Sequence, residues 1–194
     1  GTTADVPSNL LILLDASGSM GWRMSSAQSV MYPMQSTTDS SGNIFVSQYY
    51  IYGIKKFTYA DKKIDANWGD SGVHKKRSNQ CRVYYNYGGI KIHNGIIYAP
   101  GYYDSAVRMI RESDGACLGS INVRQYITAF DIHTIGGTAH LFAAGRSGVY
   151  TRNLSNNASR TCSHGNNRYL RYTWTMAANG NHLYTYYGNR IARF

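Results

Sequence analysis

Glutamate is almost missing from this 194-residue chain: Glu112 is the only one, and aspartate and glutamate together number 10 against 20 lysines and arginines. A catalytic acid and base built from two glutamates is therefore excluded, since each role needs its own carboxyl group. Asp104 and Asp114 lie in polar, glycine-containing stretches and read as turn residues. Long apolar runs are missing too. The longest is Leu10, Leu11, Ile12, Leu13 and Leu14, a buried strand's length and far from the roughly 20 residues of a membrane-crossing helix. No basic region precedes a leader-like apolar stretch; the polar opening Gly1-Thr2-Thr3-Ala4-Asp5 reads as a mature terminus left after cleavage. The Gly-x-Ser-x-Gly elbow is absent, and Ser19, in Gly18-Ser19-Met20-Gly21, has the wrong flanking spacing. None of His74, His93, His133, His140, His164 and His182 forms a close metal-binding pair, and Cys162-Ser163-His164 lacks the second cysteine of a haem attachment site. On these grounds the chain is expected not to be an enzyme, and composition implies no cofactor.

Cysteine is scarce and odd in number. Cys81, Cys117 and Cys162 allow one disulfide and a free thiol, or three buried thiols. Charged residues make up only 15% of the chain, against about 25% in typical soluble domains. Tyrosine, glycine, serine, asparagine and threonine fill the difference, which suits a secreted, extracellular protein.

Two features stand out among what is present. The net charge is +10, carried partly by Lys55-Lys56, Lys62-Lys63 and Lys75-Lys76-Arg77. It fits attraction to anionic polysaccharide, a cell surface or extracellular DNA, and equally a solvated face. The second feature is 18 tyrosines, grouped at Tyr49, Tyr50 and Tyr52, at Tyr84, Tyr85 and Tyr87, at Tyr102 and Tyr103, and at Tyr184, Tyr186 and Tyr187. Neighbouring strand residues face opposite sides, so each group sends rings both inward to a core and outward to a surface. A ligand or polyanion surface is expected from Lys75, Lys76, Arg77, Tyr102, Tyr103, Tyr186 and Tyr187. Asn153-Leu154-Ser155 and Asn157-Ala158-Ser159 also match the glycosylation acceptor pattern.

The chain changes character near residue 36. Before it, residues 9–14 read as a strand and 15–21 as a turn. Residues 23–35 carry apolar side chains at helical spacing (Met24, Ala27, Val30, Met31, Met34), interrupted by Pro33. After it, short runs rich in tyrosine, isoleucine, valine and threonine alternate with glycine and asparagine turns, the pattern of antiparallel β structure. Apolar triplets begin at Ile44, Ile96, His140 and His182, at intervals of 52, 44 and 42 residues, each after a turn such as Asn94-Gly95 or Gly136-Gly137. Each precedes another strand, over residues 53–59, 106–111, 148–154 and 189–194, and a fourth strand shows at 116–123. Such a period fits a four-stranded propeller blade. The expected fold is mainly β: a four-bladed β-propeller-like unit over residues 37–194, preceded by a strand-turn-helix remnant over 1–36. Because the last repeat stops after its third strand, residues 10–14 are expected to complete that blade, in the same molecule or by donation to a neighbour.

The sharpest motif is the apolar strand running into Asp15-Ala16-Ser17-Gly18-Ser19-Met20. It resembles the first strand and metal-adhesion motif of von Willebrand factor A domains, which implies that Asp15, Ser17 and Ser19 hold Mg²⁺ or Ca²⁺ through hard oxygens. The pattern of later strands and helices that completes such a domain is absent. In the alternative reading residues 10–14 are a structural strand and the motif is a turn. The wider opening, residues 5–35, is similar to the N-terminus of PilC/PilY-type pilus-tip adhesins. That resemblance implies a cell-surface protein acting in adhesion and pilus biogenesis. The function expected is therefore a secreted structural or adhesive subunit of a filament or pilus-associated assembly, forming homo-oligomers by strand donation. Alternatives are a soluble lectin-like propeller and a Mg²⁺-dependent adhesion module.

Overall fold

The structure is a computed structural model that describes residues 33–49, 53–75, 80–83, 85–162, 175–180, 182–187 and 190–193. The strand, metal motif and most of the helix expected before residue 33 lie outside the described residues. Among the described residues there are fourteen strands and no helix. They form four antiparallel sheets in chain order. The first sheet is β1 (Pro33–Thr38), β2 (Ile44–Gln48) and β3 (Gly53–Phe57). The second is β4 (Lys91–His93), β5 (Ile96–Pro100), β6 (Ala106–Arg111) and β7 (Cys117–Asn122). The third is β8 (Ile127–Ile135), β9 (Thr138–Gly145), β10 (Gly148–Asn153) and β11 (Ser159–Cys162). The fourth is β12 (Thr175–Asn179), β13 (His182–Tyr187) and β14 (Arg190–Arg193). Where Pro33 interrupts the helical spacing over 23–35 the chain is extended: Pro33, Met34 and Gln35 belong to β1, which pairs with β2. Proline fixes an extended-compatible φ and removes a helical donor, so the chain is already a strand there.

The turns follow from their residues. Asn94 and Gly95 both have positive φ, 48° and 70°, between the paired residues His93 and Ile96. Gly136 and Gly137 do the same, at 55° and 78°, between Ile135 and Thr138. Two left-handed residues in a two-residue loop match the right-handed twist of the strands they join. The four apolar triplets lie in β2, β5, β9 and β13.

Each sheet buries apolar side chains against the next. Phe45, Ile54, Ile97, Ala99 and Ile110 pack between the first and second sheets. Tyr98, Val107, Phe130 and Leu141 fill the gap between the second and third. Alternation along a strand serves both layers: Ile97 and Tyr98 are neighbours in β5 and enter different clusters. Among the described residues, the cluster between the third and fourth sheets holds Ala129, Ala144, Val149 and Met176, with Phe142 and Leu183 packed against it.

The first sheet has an added strap. Residues 64–74 run along the outer edge of β3 with isolated bridges from Val73 to Lys55 and from Ile64 to Phe57. Trp68, 1% exposed, packs edge-on to Phe45 and donates its indole N–H to the Glu112 carbonyl (2.7 Å). Gly69 makes the strap's tight bend: a Cβ there would lie 1.9 Å from the Val73 carbonyl oxygen. His74 is buried, its Nδ1 accepting the Ile54 amide (2.9 Å) and its Nε2 donating to the Cys81 carbonyl (2.6 Å). Cys81 forms a disulfide with Cys117 at the start of β7, leaving Cys162 as a free thiol.

Candidate functional site

The first strands of all four sheets face one cavity of about 280 Å³, lined by Gln35 of β1, Tyr87 in the segment leading to β4, Lys91 at the start of β4, Phe130 of β8 and Met176 of β12, among others. Asp131, beside Phe130, ties three of these strands together. One carboxylate oxygen accepts the Lys91 ammonium (3.0 Å) and the Ile132 amide (2.9 Å), and the other accepts the Ala178 amide (2.8 Å). Gln35 adds a fourth tie by donating its side-chain amide to the Tyr87 carbonyl (3.3 Å).

At the end of the sheets where β4 and β8 begin, six tyrosines from four chain segments form one contiguous group. Tyr85 meets Tyr49 (4.6 Å between ring centroids) and Tyr103 (5.0 Å), both edge-on. Tyr102 meets Tyr87 (5.4 Å) and Tyr103 (4.7 Å) edge-on and stacks on Tyr126 (5.7 Å, 28° between planes). Tyr103 also reaches Tyr126 (5.9 Å). Edge-to-face and offset-stacked geometries are those the ring quadrupole favours. The group is not core: Tyr103 is 56% exposed, Tyr126 48% and Tyr87 38%. Since Tyr87 also lines the cavity, the rings form a rim that adjoins it at that residue. Burial, with the phenols of Tyr103, Tyr85 and Tyr102, pushes the Tyr87 hydroxyl above the usual tyrosine range, so it stays a neutral donor.

The loops that carry the rings are held firmly. Tyr85, Ser105 and Arg124 have φ of 42°, 55° and 57°, a region that costs a non-glycine residue roughly 1–2 kcal/mol. Asp104, beside Tyr103, pairs with Arg108, whose Nε donates to the Arg82 carbonyl (3.0 Å). Burial raises the Asp104 carboxyl above its ordinary value, against the pull of Arg108. Gln125 is buried beside Tyr126 and clamps the β9–β10 turn, donating to the Ala143 and Gly148 carbonyls (3.2 and 3.0 Å) and accepting the Ser147 amide (2.8 Å). That clamp packs the turn carrying exposed Arg146 against the Gln125 side chain and the Tyr126 carbonyl, and exposed Arg124 lies two residues before Tyr126 in the chain. Gln48 and Asn86, each 1% exposed and adjacent in sequence to rim tyrosines, have amide atoms with no hydrogen-bond partner, a cost seldom met in a well-packed interior.

Of the residues expected to form a ligand surface, Tyr102 and Tyr103 belong to this rim. Lys75 lies at the opposite end of the sheets, its amide bonded to the Gly115 carbonyl (2.7 Å) in the β6–β7 turn. Lys76 and Arg77 lie outside the described residues. Tyr186 is on β13, opposite Ile191 of β14, and Tyr187 ends that strand. Asp15, Ser17, Ser19 and residues 10–14 also lie outside, and among the described residues no cluster of histidine, cysteine and carboxylates suits a metal ion. Nothing in the sequence marks Tyr126: it stands apart from the tyrosine groups, and the β7–β8 connection brings it to the others.

No protein-family model and no curated protein matches the chain. Solved structures do. A catalytically inactive virginiamycin B lyase from Staphylococcus aureus with quinupristin aligns with TM-score 0.56 and 12% identity, over 79% of this chain and 48% of that one. A streptogramin B lyase aligns with TM-score 0.57 and 11% identity, over 84% and 49%. The dihydro-haem d1 dehydrogenase NirN, in complex with DHE, aligns with TM-score 0.52 and 11% identity, over 79% and 34%. The chain thus has a β-propeller-like fold and spans about half the length, or less, of these matches. The expectation that it is not an enzyme is corrected: a lyase and a dehydrogenase use this fold. Missing glutamate pairs and serine elbows exclude particular chemistries and leave catalysis as such open. At 11–12% identity the likeness is of fold alone and assigns no reaction.

Proposed function

We propose that the protein is an extracellular adhesive module that holds a surface polysaccharide on its tyrosine rim. The observation that carries this reading is the convergence of six tyrosines on one partly exposed rim beside a cavity, in loops fixed by left-handed residues and buried clamps. Fixed aromatic faces bind sugar rings with little loss of conformational freedom. The Cys81–Cys117 disulfide supports an oxidising, extracellular setting. The resemblance of residues 5–35 to pilus-tip adhesins supports a cell-surface role.

The test is a polysaccharide and glycan binding screen with the wild type and with Tyr103→Ala/Tyr126→Ala. Both rings are exposed, so the melting temperature should stay within a few degrees while binding falls at least about tenfold, as loss of stacking contacts predicts. Unchanged binding in the variant, or no glycan binding by the wild type, would falsify the reading.

A second reading concerns assembly. The four sheets make a four-bladed unit, and residues 10–14 add as a strand to the edge of β14, within one molecule or between two. Ile191 of β14 is 76% exposed and its cross-strand partner Tyr186 44%, which favours a covering strand or sheet there. Removal of residues 1–14 should then change the assembly state seen by light scattering; an unchanged state discards this reading.

A further inference from the structure

The cavity beside the rim has a chemical bias that narrows the ligand. Lys91 is the only charged side chain among its described lining residues, and that side chain is 43% exposed. Its ammonium has three N–H donors, of which the ion pair with Asp131 uses one. Asp131 offers little in return: its side chain is 9% exposed and already accepts from Lys91, Ile132 and Ala178. Although the pair is neutral as a whole, the two N–H donors left on Lys91 are the charged hydrogen-bonding groups that the described lining offers, and an anionic acceptor suits them. The rim has the same sign: exposed Arg124 lies two residues before Tyr126, exposed Arg146 follows Gly145, which packs against the Tyr126 carbonyl, and Asp104 of the tyrosine loops pairs with Arg108. At about 280 Å³ the cavity falls just below the roughly 300 Å³ at which small-molecule sites begin, room for one sugar residue rather than an oligomer.

Resting on the polysaccharide reading above, we infer that the ligand is an acidic polysaccharide: one uronate residue enters the cavity, its carboxylate accepts from Lys91, and neighbouring sugars stack on the tyrosine rim between Arg124 and Arg146. A carboxylate recruits the unused Lys91 donors as charge-assisted hydrogen bonds. The arginines add attraction that weakens as salt rises. Single-stranded nucleic acid also combines anionic charge with stackable rings, but a base and its phosphate are larger than this cavity favours, and an oxidised disulfide fits the setting of extracellular glycans better.

The experiment measures binding of the full chain to polygalacturonate, to the same polymer with its carboxyls reduced to alcohols, and to single-stranded DNA, each at two salt concentrations. Polygalacturonate should bind about tenfold more tightly than the reduced polymer at low salt, the worth of one charge-assisted contact. That ratio should fall to near one in Lys91→Gln. In Arg124→Gln/Arg146→Gln, two surface changes that enter no core, the salt dependence should shrink. Equal affinity for the two polymers overturns the uronate inference and leaves the tyrosine reading standing. Binding of neither polymer overturns the uronate inference and leaves the tyrosine reading to the glycan screen. Tighter binding to DNA than to polygalacturonate overturns the inference in favour of nucleic acid. If Lys91→Gln fails to fold, the double arginine variant decides, and wild-type salt dependence there counts against the proposal.

Discussion

The two flanks of the molecule are built to different standards. Between the first and second sheets lie Trp68, Phe45, four isoleucines and a disulfide, and the strap over residues 64–74 covers the edge of β3. Among the described residues, two alanines, a valine and a methionine lie between the third and fourth sheets with Phe142 and Leu183 packed against them, and no such strap borders β14. Buried apolar area sets most of the strength of such an interface. The first flank should therefore open only with global unfolding, whereas the fourth sheet should open locally at lower cost.

The largest test of that contrast is Trp68→Ala. It empties a site 1% exposed and removes the bond to the Glu112 carbonyl. We expect a loss of about 4–5 kcal/mol by denaturant titration, with unfolding made less cooperative. Cys81→Ser/Cys117→Ser opens a loop whose ends are 36 residues apart; about 4 kcal/mol should be lost, measurable also by comparing reduced and oxidised wild type. Asp131→Ala leaves the Ile132 and Ala178 amides without their acceptor and Lys91 without its partner, at about 2–3 kcal/mol. Its signature is regional: amides of β12 and β13 should exchange faster while those of β5 and β6 hold. At the small end, Ile191→Ser should change stability by less than about 0.5 kcal/mol, since the side chain is 76% exposed. A large loss there would mean that the fourth sheet's outer side is covered in solution.

The sequence was most legible where chemistry is local. Asn94-Gly95 and Gly136-Gly137 mark hairpins because few residues accept positive φ, and the strand read over 106–111 is β6 as found. Legibility failed where contacts span distance. Nothing near Trp68 foretells that it reaches Glu112, 44 residues on. Three cysteines permit three pairings, and only the placement of β7 beside the 80–83 segment selects one. For the rim, the tyrosine groups were visible as groups. Their convergence was not, because it depends on which connections share an end of the sheets. Pro33, which interrupts the helical spacing over 23–35, marks where extended chain pairs with β2.

Tyr85 at φ 42° has a consequence for how the rim responds to change. Glycine would occupy that left-handed position at lower cost, so the backbone and the ring have opposed interests at the same residue. Replacing Tyr85, Ser105 and Arg124 with glycine relieves backbone strain in all three loops while removing one aromatic face and one cation. The expected variant is a protein no less stable than the parent and poorer at binding, a trade of stability against activity.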